Sequence, residues 1–263
     1  MKTLKTITSV LLVAVMLGAS LVCLAETEKQ TAYVTVYDGK TVVCAMEEVA
    51  YADEDNDGKW TINDLLISIH NKKCKDGFKT SEGAYGLQID KLWNVKNGGS
   101  YGYYLNDGMA MSIVDEVKAG DRLYAFVYSD AAGYSDAYSF FDVARVEDQN
   151  GKDLTLTLKY VSGFDENYAP VFSPVEGAVI TVDGKATEIK TDAEGKATVK
   201  PGDKTSVISA QKEGLTLIPP VCLSIVTEKA QSPALLIVLL IVLAIVAAAA
   251  VCVIVFNKKK KSA

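Results

Sequence analysis

The sequence predicts an α+β domain followed by a small all-β sandwich and one transmembrane helix. The first observation is a set of strand-like segments in which apolar and polar residues alternate, and the second is a single amphipathic helical segment among them. The third is a long apolar stretch near the C-terminus. We expect the α+β domain at 31–162, a turn-rich linker at 163–174 and the β module at 171–228.

The two ends of the chain predict export and membrane anchoring. Residues 1–25 combine early lysines, an apolar run and a final Cys23-Leu24-Ala25, which is typical of a signal peptide cleaved before Glu26. Residues 234–256 contain no charged side chain, and as a helix they would extend about 34 Å, enough to span a bilayer. The lysine-rich tail at 257–263 predicts a cytoplasmic C-terminus. We therefore expect a single-pass cell-membrane protein with an extracellular ectodomain.

The expected ectodomain is strongly acidic. All 33 acidic residues of the chain lie in it, whereas six of the 27 basic residues lie in the two terminal segments. An acidic surface repels phosphate groups, so this composition excludes binding of nucleic acid through bulk electrostatics and favours binding of cations.

Three cysteines remain outside the terminal segments: Cys44, Cys74 and Cys222. An odd number allows at most one internal disulfide, so the chain is not a disulfide-rich scaffold. A Cys44–Cys74 bond and three reduced thiols are both compatible with the sequence.

The first domain opens with two strand-like runs, at 33–37 and 41–44, joined by the turn Asp38-Gly39-Lys40. A helix follows, because four apolar residues recur at the spacing of one helical face. These residues are Ile62, Leu65, Leu66 and Ile69. Period-two segments then predict strands at 101–105, 122–128 and 154–160.

The second domain shows short strands separated by turns. A strand-like run at 179–182 leads into the turn Asp183-Gly184-Lys185, and a second turn follows at 191–196. Turns about ten residues apart are typical of a small β-sandwich. The runs 177–182 and 191–196 resemble the carboxypeptidase-regulatory-like modules of bacterial surface proteins, which implies a spacer without chemistry of its own.

The sharpest local motif is an acidic loop at 53–64. Asp53, Asp55 and Asp57 stand at positions 1, 3 and 5 of a twelve-residue loop, and Gly58 at position 6 permits a sharp bend. Carboxylates at these positions converge on one cation because the loop winds tightly between them.

Three further positions complete the expected ligand set: the backbone carbonyl of Lys59, Thr61 through a water, and Asp64 at position 12. The loop resembles the EF-hand loop, and more closely its dockerin variant, which ends in Asp. The resemblance predicts bound Ca²⁺, which we expect to stiffen the structure and not to act as a switch.

The same loop also allows a metal-free interpretation. Thr61 suits the N-cap of a helix beginning at Ile62, with Asp64 as its capping partner. An acidic turn followed by a capped helix would need no ion. Clustered carboxylates repel one another, however, and this favours the calcium site.

Twelve of the 22 aromatic residues lie between Tyr85 and Phe141. Tyrosine suits a half-exposed ligand surface, but ordinary strand packing uses aromatic residues for the same reason. Alternation places Tyr101 and Tyr103 on one face of their strand and Tyr104 on the other. We therefore expect most of these aromatic residues to pack in the core.

Residues 100–108 and 117–128 resemble the transcobalamin-like domain, a β-grasp-like module of corrinoid carriers and of uncharacterised bacterial surface proteins. The family pattern is an aromatic residue, then Tyr-x-Val-Asn-Gly, then a Gly-Asp pair before an aromatic strand. Here Tyr101 stands where tryptophan is common, and Asp107 where glycine is. The resemblance implies a β-grasp-like fold and a corrinoid or another small molecule as ligand. The candidate residues of the ligand surface are Trp93, Tyr101, Tyr103 and Asn106.

We predict no catalytic residues and no enzyme activity. His70 and Cys74 lie one helical turn apart, but no third group orients them, and we expect His70 at the surface near the helix end. The expected function is calcium-stabilised extracellular binding of a small molecule, or of a surface protein or glycan. The alternatives are a structural or adhesive surface component without a small-molecule ligand, and a hydrolase that uses carboxylates.

Overall fold

The computed structural model describes residues 30–147 and 151–227, which form seventeen strands and one helix. The first strands are β1 (Gln30–Tyr37), β2 (Val42–Tyr51), β3 (Lys79–Gly83), β4 (Gly86–Lys91), β5 (Tyr101–Leu105), β6 (Gly108–Met109), β7 (Arg122–Val127), β8 (Ala137–Phe141) and β9 (Arg145–Glu147). The later strands are β10 (Leu154–Phe164), β11 (Pro170–Pro174), β12 (Val179–Val182), β13 (Lys185–Lys190), β14 (Lys196–Val199), β15 (Ser206–Gln211), β16 (Leu217–Ile218) and β17 (Cys222–Ile225). The helix, α1, spans Ile62–Lys73.

The described strands form three larger sheets and one hairpin. Sheet I has the order β2-β1-β7-β5-β6, in which β1 and β7 are parallel and the other neighbours are antiparallel. Sheet II has the order β11-β10-β8-β16, with β14 also paired to β10. Sheet III has the order β13-β12-β15-β17-β9, and β3 pairs with β4.

Sheet I buries apolar residues on both faces. On one face α1 contacts β1 and β2, and Leu65 and Ile69 share a core with Val34. On the other face Tyr104 of β5 and the aromatic residues of β7 share a core with Tyr138 and Ile218 from sheet II. Sheets II and III enclose a third core. Each fully buried Leu or Ile stabilises this arrangement by about 1.5–3 kcal/mol.

The local elements predicted from the sequence are confirmed. The helix begins at Ile62, and β5 and β12 have the predicted limits. The predicted strands at 33–37, 122–128 and 154–160 overlap β1, β7 and β10.

The predicted α+β, β-grasp-like fold class is nevertheless wrong, because the structure is mostly β. About 50% of it is strand and 6% is helix. Strands as short as β6 and β16, with two residues each, are too short to show a period-two pattern. Patterns in the sequence reveal the one helix clearly but not such short strands, and they therefore overestimate the helical share of the fold.

The prediction of a single-pass membrane protein is also wrong for the described part of the chain. Within 30–147 and 151–227 no helix is both long enough and apolar enough to cross a bilayer. The helix α1 has 12 residues, about 18 Å, against a hydrocarbon core of roughly 30 Å. The expectation that a membrane is a partner of this chain is wrong for the same reason. The signal peptide expected at 1–25 and the helix expected at 234–256 lie outside the described residues.

Strands from the two expected domains share sheets. Parallel pairing joins β8 to β16, and β9 to β17. β10 begins in the first expected domain and ends inside the expected linker at 163–174, which also contains β11. The described residues up to Ile225 fall into one compact unit.

One edge of sheet II is formed by β11, which has a proline at each end. The Val175 N–H donates to the Leu158 carbonyl at 3.2 Å, which fixes the side of β11 that faces β10. By alternation, the backbone groups of Pro170, Phe172 and Pro174 point away from the sheet. Because proline has no N–H, Phe172 carries the single outward-pointing donor of this strand.

Candidate functional site

The structure brings three carboxylates of the acidic loop together. Asp53, Asp55 and Asp57 place carboxylate oxygens within 4.8 Å of one another. Two negative charges at this distance in water repel each other by about 1 kcal/mol. None of the ion pairs among the described residues involves these three side chains. Three convergent carboxylates are the type of ligand set that Ca²⁺ prefers.

The loop backbone folds around Asp53. Its carboxylate accepts hydrogen bonds from the N–H groups of Asp57 at 3.0 Å and Gly58 at 2.9 Å. Gly58 has a φ of +84°, in the left-handed region, and open space where a Cβ would stand. The predicted need for glycine at this bend is thus confirmed by the backbone.

Thr61 and Asp64, two of the predicted calcium ligands, instead cap the helix. The Asp64 carboxylate accepts from the Thr61 N–H at 2.9 Å and from the Thr61 hydroxyl at 2.7 Å. Its other oxygen accepts from the Glu54 N–H at 2.7 Å. Asp64 is fully buried and does not belong to the carboxylate cluster. The capping interaction considered from the sequence is confirmed, and it occupies the side chain at position 12.

The start of α1 is also fixed by the segment that precedes β7. The Ile62 N–H donates to the Asp115 carbonyl at 3.0 Å, and the Asn63 N–H donates to the Ile113 carbonyl at 2.7 Å. Free N–H groups at a helix start otherwise need water or a cap. The acidic loop therefore leads into a helix end that is already held in place.

His70 is buried, so the expectation of a surface histidine is wrong. Its Nδ1 lies 2.6 Å from the Leu66 carbonyl, and its Nε2 accepts from the Trp93 N–H at 3.2 Å. Its ring packs against Phe78 and Trp93, each with ring centroids 5.0 Å apart. Burial, with a smaller contribution from nearby Lys91, lowers the pKa of His70 to about 4 against the opposing effect of the hydrogen bond to the Leu66 carbonyl. Both ring nitrogens are occupied, which leaves no base for a Cys–His pair.

The three cysteines of the described chain are free thiols. Cys44 and Cys222 are buried, and burial raises the pKa of each thiol to about 12. Cys74 is half-buried, and its sulfur accepts a hydrogen bond from the Asn94 side chain at 3.1 Å. Of the two states left open by the sequence, the structure therefore contains the reduced one.

Two of the suggested ligand residues have structural partners. Trp93 adopts a positive φ in the turn after β4 and packs on His70. The Tyr101 hydroxyl lies 2.9 Å from the Asp90 carbonyl and 3.0 Å from the Val95 carbonyl. A polar tip that is engaged in this way is not free to select a ligand.

Asn106 forms the tight turn between β5 and β6. Asn106 and Asp107 both have positive φ, as a two-residue hairpin turn of this kind requires. The Asn106 side chain bridges the Asp121 carboxylate at 2.8 Å and the Arg122 N–H at 3.0 Å. The turn and these hydrogen bonds therefore account for the asparagine at this position without a ligand.

Tyr103 is the remaining suggested ligand residue, and it lines two adjoining grooves. Their volumes are about 170 Å³ and 140 Å³, and Tyr101 and Met111 line both. Pockets for drug-sized molecules usually measure about 300–1,000 Å³. These grooves are too small for a corrinoid, and the expectation of a corrinoid partner is not retained.

Most of the aromatic residues expected in the core are found there. Tyr104 and Tyr138 stack with centroids 3.7 Å apart and an interplanar angle of 5°. The Tyr138 hydroxyl donates to the Asp107 carboxylate at 3.0 Å, and Arg122 pairs with the same carboxylate at 2.8 Å. Burial raises the pKa of Tyr138 well above its ordinary value. This contact joins sheet I to sheet II, and no local pattern in the sequence indicates it.

Tyr138→Phe tests this contact. The substitution removes a buried hydroxyl and leaves Asp107 with Arg122 as its partner, so we expect a loss of about 1 kcal/mol in the free energy of unfolding. Urea denaturation measures it. Tyr134→Phe, at an exposed tyrosine, is the control and should change stability by less than about 0.5 kcal/mol. Equal effects of the two substitutions would contradict the assignment.

Comparisons with known proteins do not place the chain in a family. No model of a known protein family matches it, and no curated protein matches it either. A search of solved structures finds similarity to the crystal structure of the teleost fish polymeric Ig receptor (pIgR) ectodomain. That match has 8% sequence identity and a TM-score of 0.21, and covers 59% of this chain and 76% of that chain. Similarity at this level carries no conclusion about fold or function.

Proposed function

We propose that this chain is a non-catalytic structural protein whose acidic loop holds one calcium ion. The observation that carries the proposal is the convergence of Asp53, Asp55 and Asp57 on one point without a compensating basic side chain. A divalent cation at that point would replace three mutual repulsions by attractions.

The position of the loop explains what the ion does. The loop joins the end of β2 at Tyr51 to the start of α1 at Ile62, and the helix start is hydrogen-bonded to the segment before β7. An ion in the loop therefore stiffens the connection between an edge strand and the helix that covers it. Loops with few ligating carboxylates and exposed ligands bind calcium weakly, with Kd of about 10⁻⁴–10⁻³ M in extracellular modules.

A structural role is favoured over recognition of a small molecule. Of the four suggested ligand residues, Trp93, Tyr101 and Asn106 have hydrogen bonds or ring contacts within the fold. The grooves beside Tyr103 are small. The calcium-stiffened fold itself therefore performs the proposed function, as in an adhesive or scaffolding component.

The direct test is calcium titration of the chelator-treated full chain. Calorimetry is expected to show one ion bound, and 10 mM CaCl₂ should stabilise the protein by about 1–3 kcal/mol through mass action. Asp55→Ala and Asp57→Ala should each abolish the heat of binding and the calcium-dependent rise in Tm, because each removes one of three ligating carboxylates.

Asp153→Ala provides the matched control, since Asp153 is exposed and lies outside the loop. It should bind calcium and melt as the unaltered chain does. If Asp55→Ala and Asp57→Ala also keep the wild-type calcium response, the ion is not bound in this loop.

A further inference from the structure

A groove of about 480 Å³ separates the turn between β1 and β2 from sheet III. Residues 40–42 form one wall of this groove, and Thr181, Val207 and Ser209 lie on the facing strands β12 and β15. Pockets for small ligands usually measure about 300–1,000 Å³. This groove therefore has the volume that the two smaller grooves beside β5 lack.

Thr181 is the most deeply buried polar residue of the groove. It is only 8% exposed, and it stands directly opposite Ser209 in the pairing of β12 with β15. Ile180 and Ile208 face the core between sheets II and III, so alternation turns Thr181 and Ser209 toward the groove. Neither hydroxyl has a hydrogen-bond partner among the described residues. Buried hydroxyls nearly always have a partner, so this pair is available to a molecule in the groove.

The other polar groups of the groove are also available. The ammonium group of Lys40, the hydroxyl of Thr41 and the carboxamide of Gln211 form no hydrogen bond or ion pair with the described part of the chain. The Asp183 carboxylate accepts from the Val207 N–H at 2.8 Å through one oxygen, and its other oxygen remains open. The groove thus combines donors and acceptors that the fold itself does not use.

A second groove, along β2, has the same volume of about 480 Å³ but not this property. There Lys72 pairs with Glu47 at 2.7 Å, and Arg145 pairs with Glu147 at 3.3 Å. Its charged groups already have partners within the fold, so it gives a ligand less to bind.

We propose that the groove beside Thr181 binds one sugar unit of a glycan. Hydroxyl and carboxamide groups both donate and accept, as sugar hydroxyls do, so they can satisfy neighbouring sugar hydroxyls in either sense. Lys40 and Asp183 carry opposite charges, and this balance favours a neutral ligand over an anion. Val42, Val207 and Pro219 provide apolar surface for the C–H groups of the sugar ring. Such a site would attach an adhesive component to a glycan, independently of the calcium ion.

Saturation-transfer NMR of the full chain tests the proposal with glucose, galactose, mannose and N-acetylglucosamine as ligands. Ligands of this size typically bind with a Kd of about 1–10 mM, which the method detects. Acetate and an acetylated, amidated trialanine are the comparison ligands for an anion site and for a peptide site. At least one sugar is expected to bind, and neither comparison ligand is.

Thr181→Val assigns the binding to this groove. Valine keeps the shape of threonine and suits a strand, but it lacks the hydroxyl, so we expect the sugar to bind about fivefold more weakly. Ser209→Ala should weaken binding in the same direction, and it decides the question if Thr181→Val does not fold. Thr80→Val is the matched control at a half-buried threonine of β3, outside the groove. It should keep the affinity within about twofold.

The frequency of irradiation gives a second readout of the position of the sugar. Methyl groups line this groove, and within the described chain no aromatic side chain does. Irradiation of methyl resonances should therefore saturate the bound sugar more than irradiation of aromatic resonances. Binding in the tyrosine-lined grooves beside β5 would reverse that order.

Several results would overturn the proposal. The groove is not a sugar site if none of the four sugars binds, or if a sugar binds equally well to Thr181→Val and Ser209→Ala. Binding of acetate or of the trialanine peptide that Thr181→Val weakens, without binding of a sugar, would assign the groove to another class of ligand. The calcium site is untouched by each of these results, because the two sites share no residue.

Discussion

Gly195→Ala is expected to destabilise the protein by about 3–5 kcal/mol. Gly195 has a φ of +76°, and a Cβ there would lie 2.4 Å from the Leu158 carbonyl oxygen and 3.1 Å from Pro174. The Leu158 N–H donates to the Gly195 carbonyl at 2.8 Å, so the turn cannot move away without breaking that bond. Domains of this size are typically stable by about 5–15 kcal/mol, so the loss is a large share of the total.

Gly184→Ala separates the two causes of this destabilisation, which are the positive φ and the steric clash of the added Cβ. Gly184 has a similar φ of +74°, but nothing lies within 4 Å of the place of its Cβ. Its free energy of unfolding should therefore fall only by what a positive φ costs a residue with a Cβ, about 1–2 kcal/mol. Urea denaturation of both variants measures the difference. Equal losses of stability would show that the close approach of Gly195 to Leu158 is not the reason why this position needs glycine.

Acidification from pH 7 to pH 4 is expected to remove about 3 kcal/mol of stability through His70. The fold holds the pKa of His70 at about 4, below its ordinary value of 6.5, chiefly because the ring is buried. Between these two values the unfolded chain binds more protons than the folded protein. The contribution of His70 is therefore fully present above about pH 6.5 and is lost as the pH falls toward 4.

His70→Phe identifies the group responsible. Phenylalanine keeps the ring contacts with Phe78 and Trp93 but cannot bind a proton. The variant starts from a lower stability, because the Trp93 N–H loses its acceptor. Its free energy of unfolding, measured by urea denaturation from pH 7 to pH 4, should nevertheless decline less steeply than that of the unaltered chain. Parallel curves would assign the acid sensitivity to other groups.

The features that the sequence predicts well are those fixed within a few residues. The start of α1 at Ile62 follows from the Thr61 cap and the apolar spacing behind it, and both are local. The bend at Gly58 and the approach of Asp53 to Asp57 likewise depend on one twelve-residue segment. Such local patterns predict the same local structure whatever the tertiary fold around them.

The features that sequence reasoning misses depend on residues far apart in the chain. The parallel pairing of β8 with β16 joins residues about eighty positions apart, and no periodicity indicates it. The burial of His70 depends on Phe78 and Trp93 folding over the helix. Asp64 looks like a metal ligand in sequence because a capping residue and a chelating residue are both acidic. Only the hydrogen bonds distinguish them.

The prolines of β11 also bear on self-association. A second molecule that approached sheet II along this strand would find one N–H, that of Phe172, between two positions that offer none. Cross-β growth needs a donor at every second residue, so a fibril cannot propagate through this edge. The chain can therefore leave Val171 and Phe172 exposed there without creating a template for aggregation.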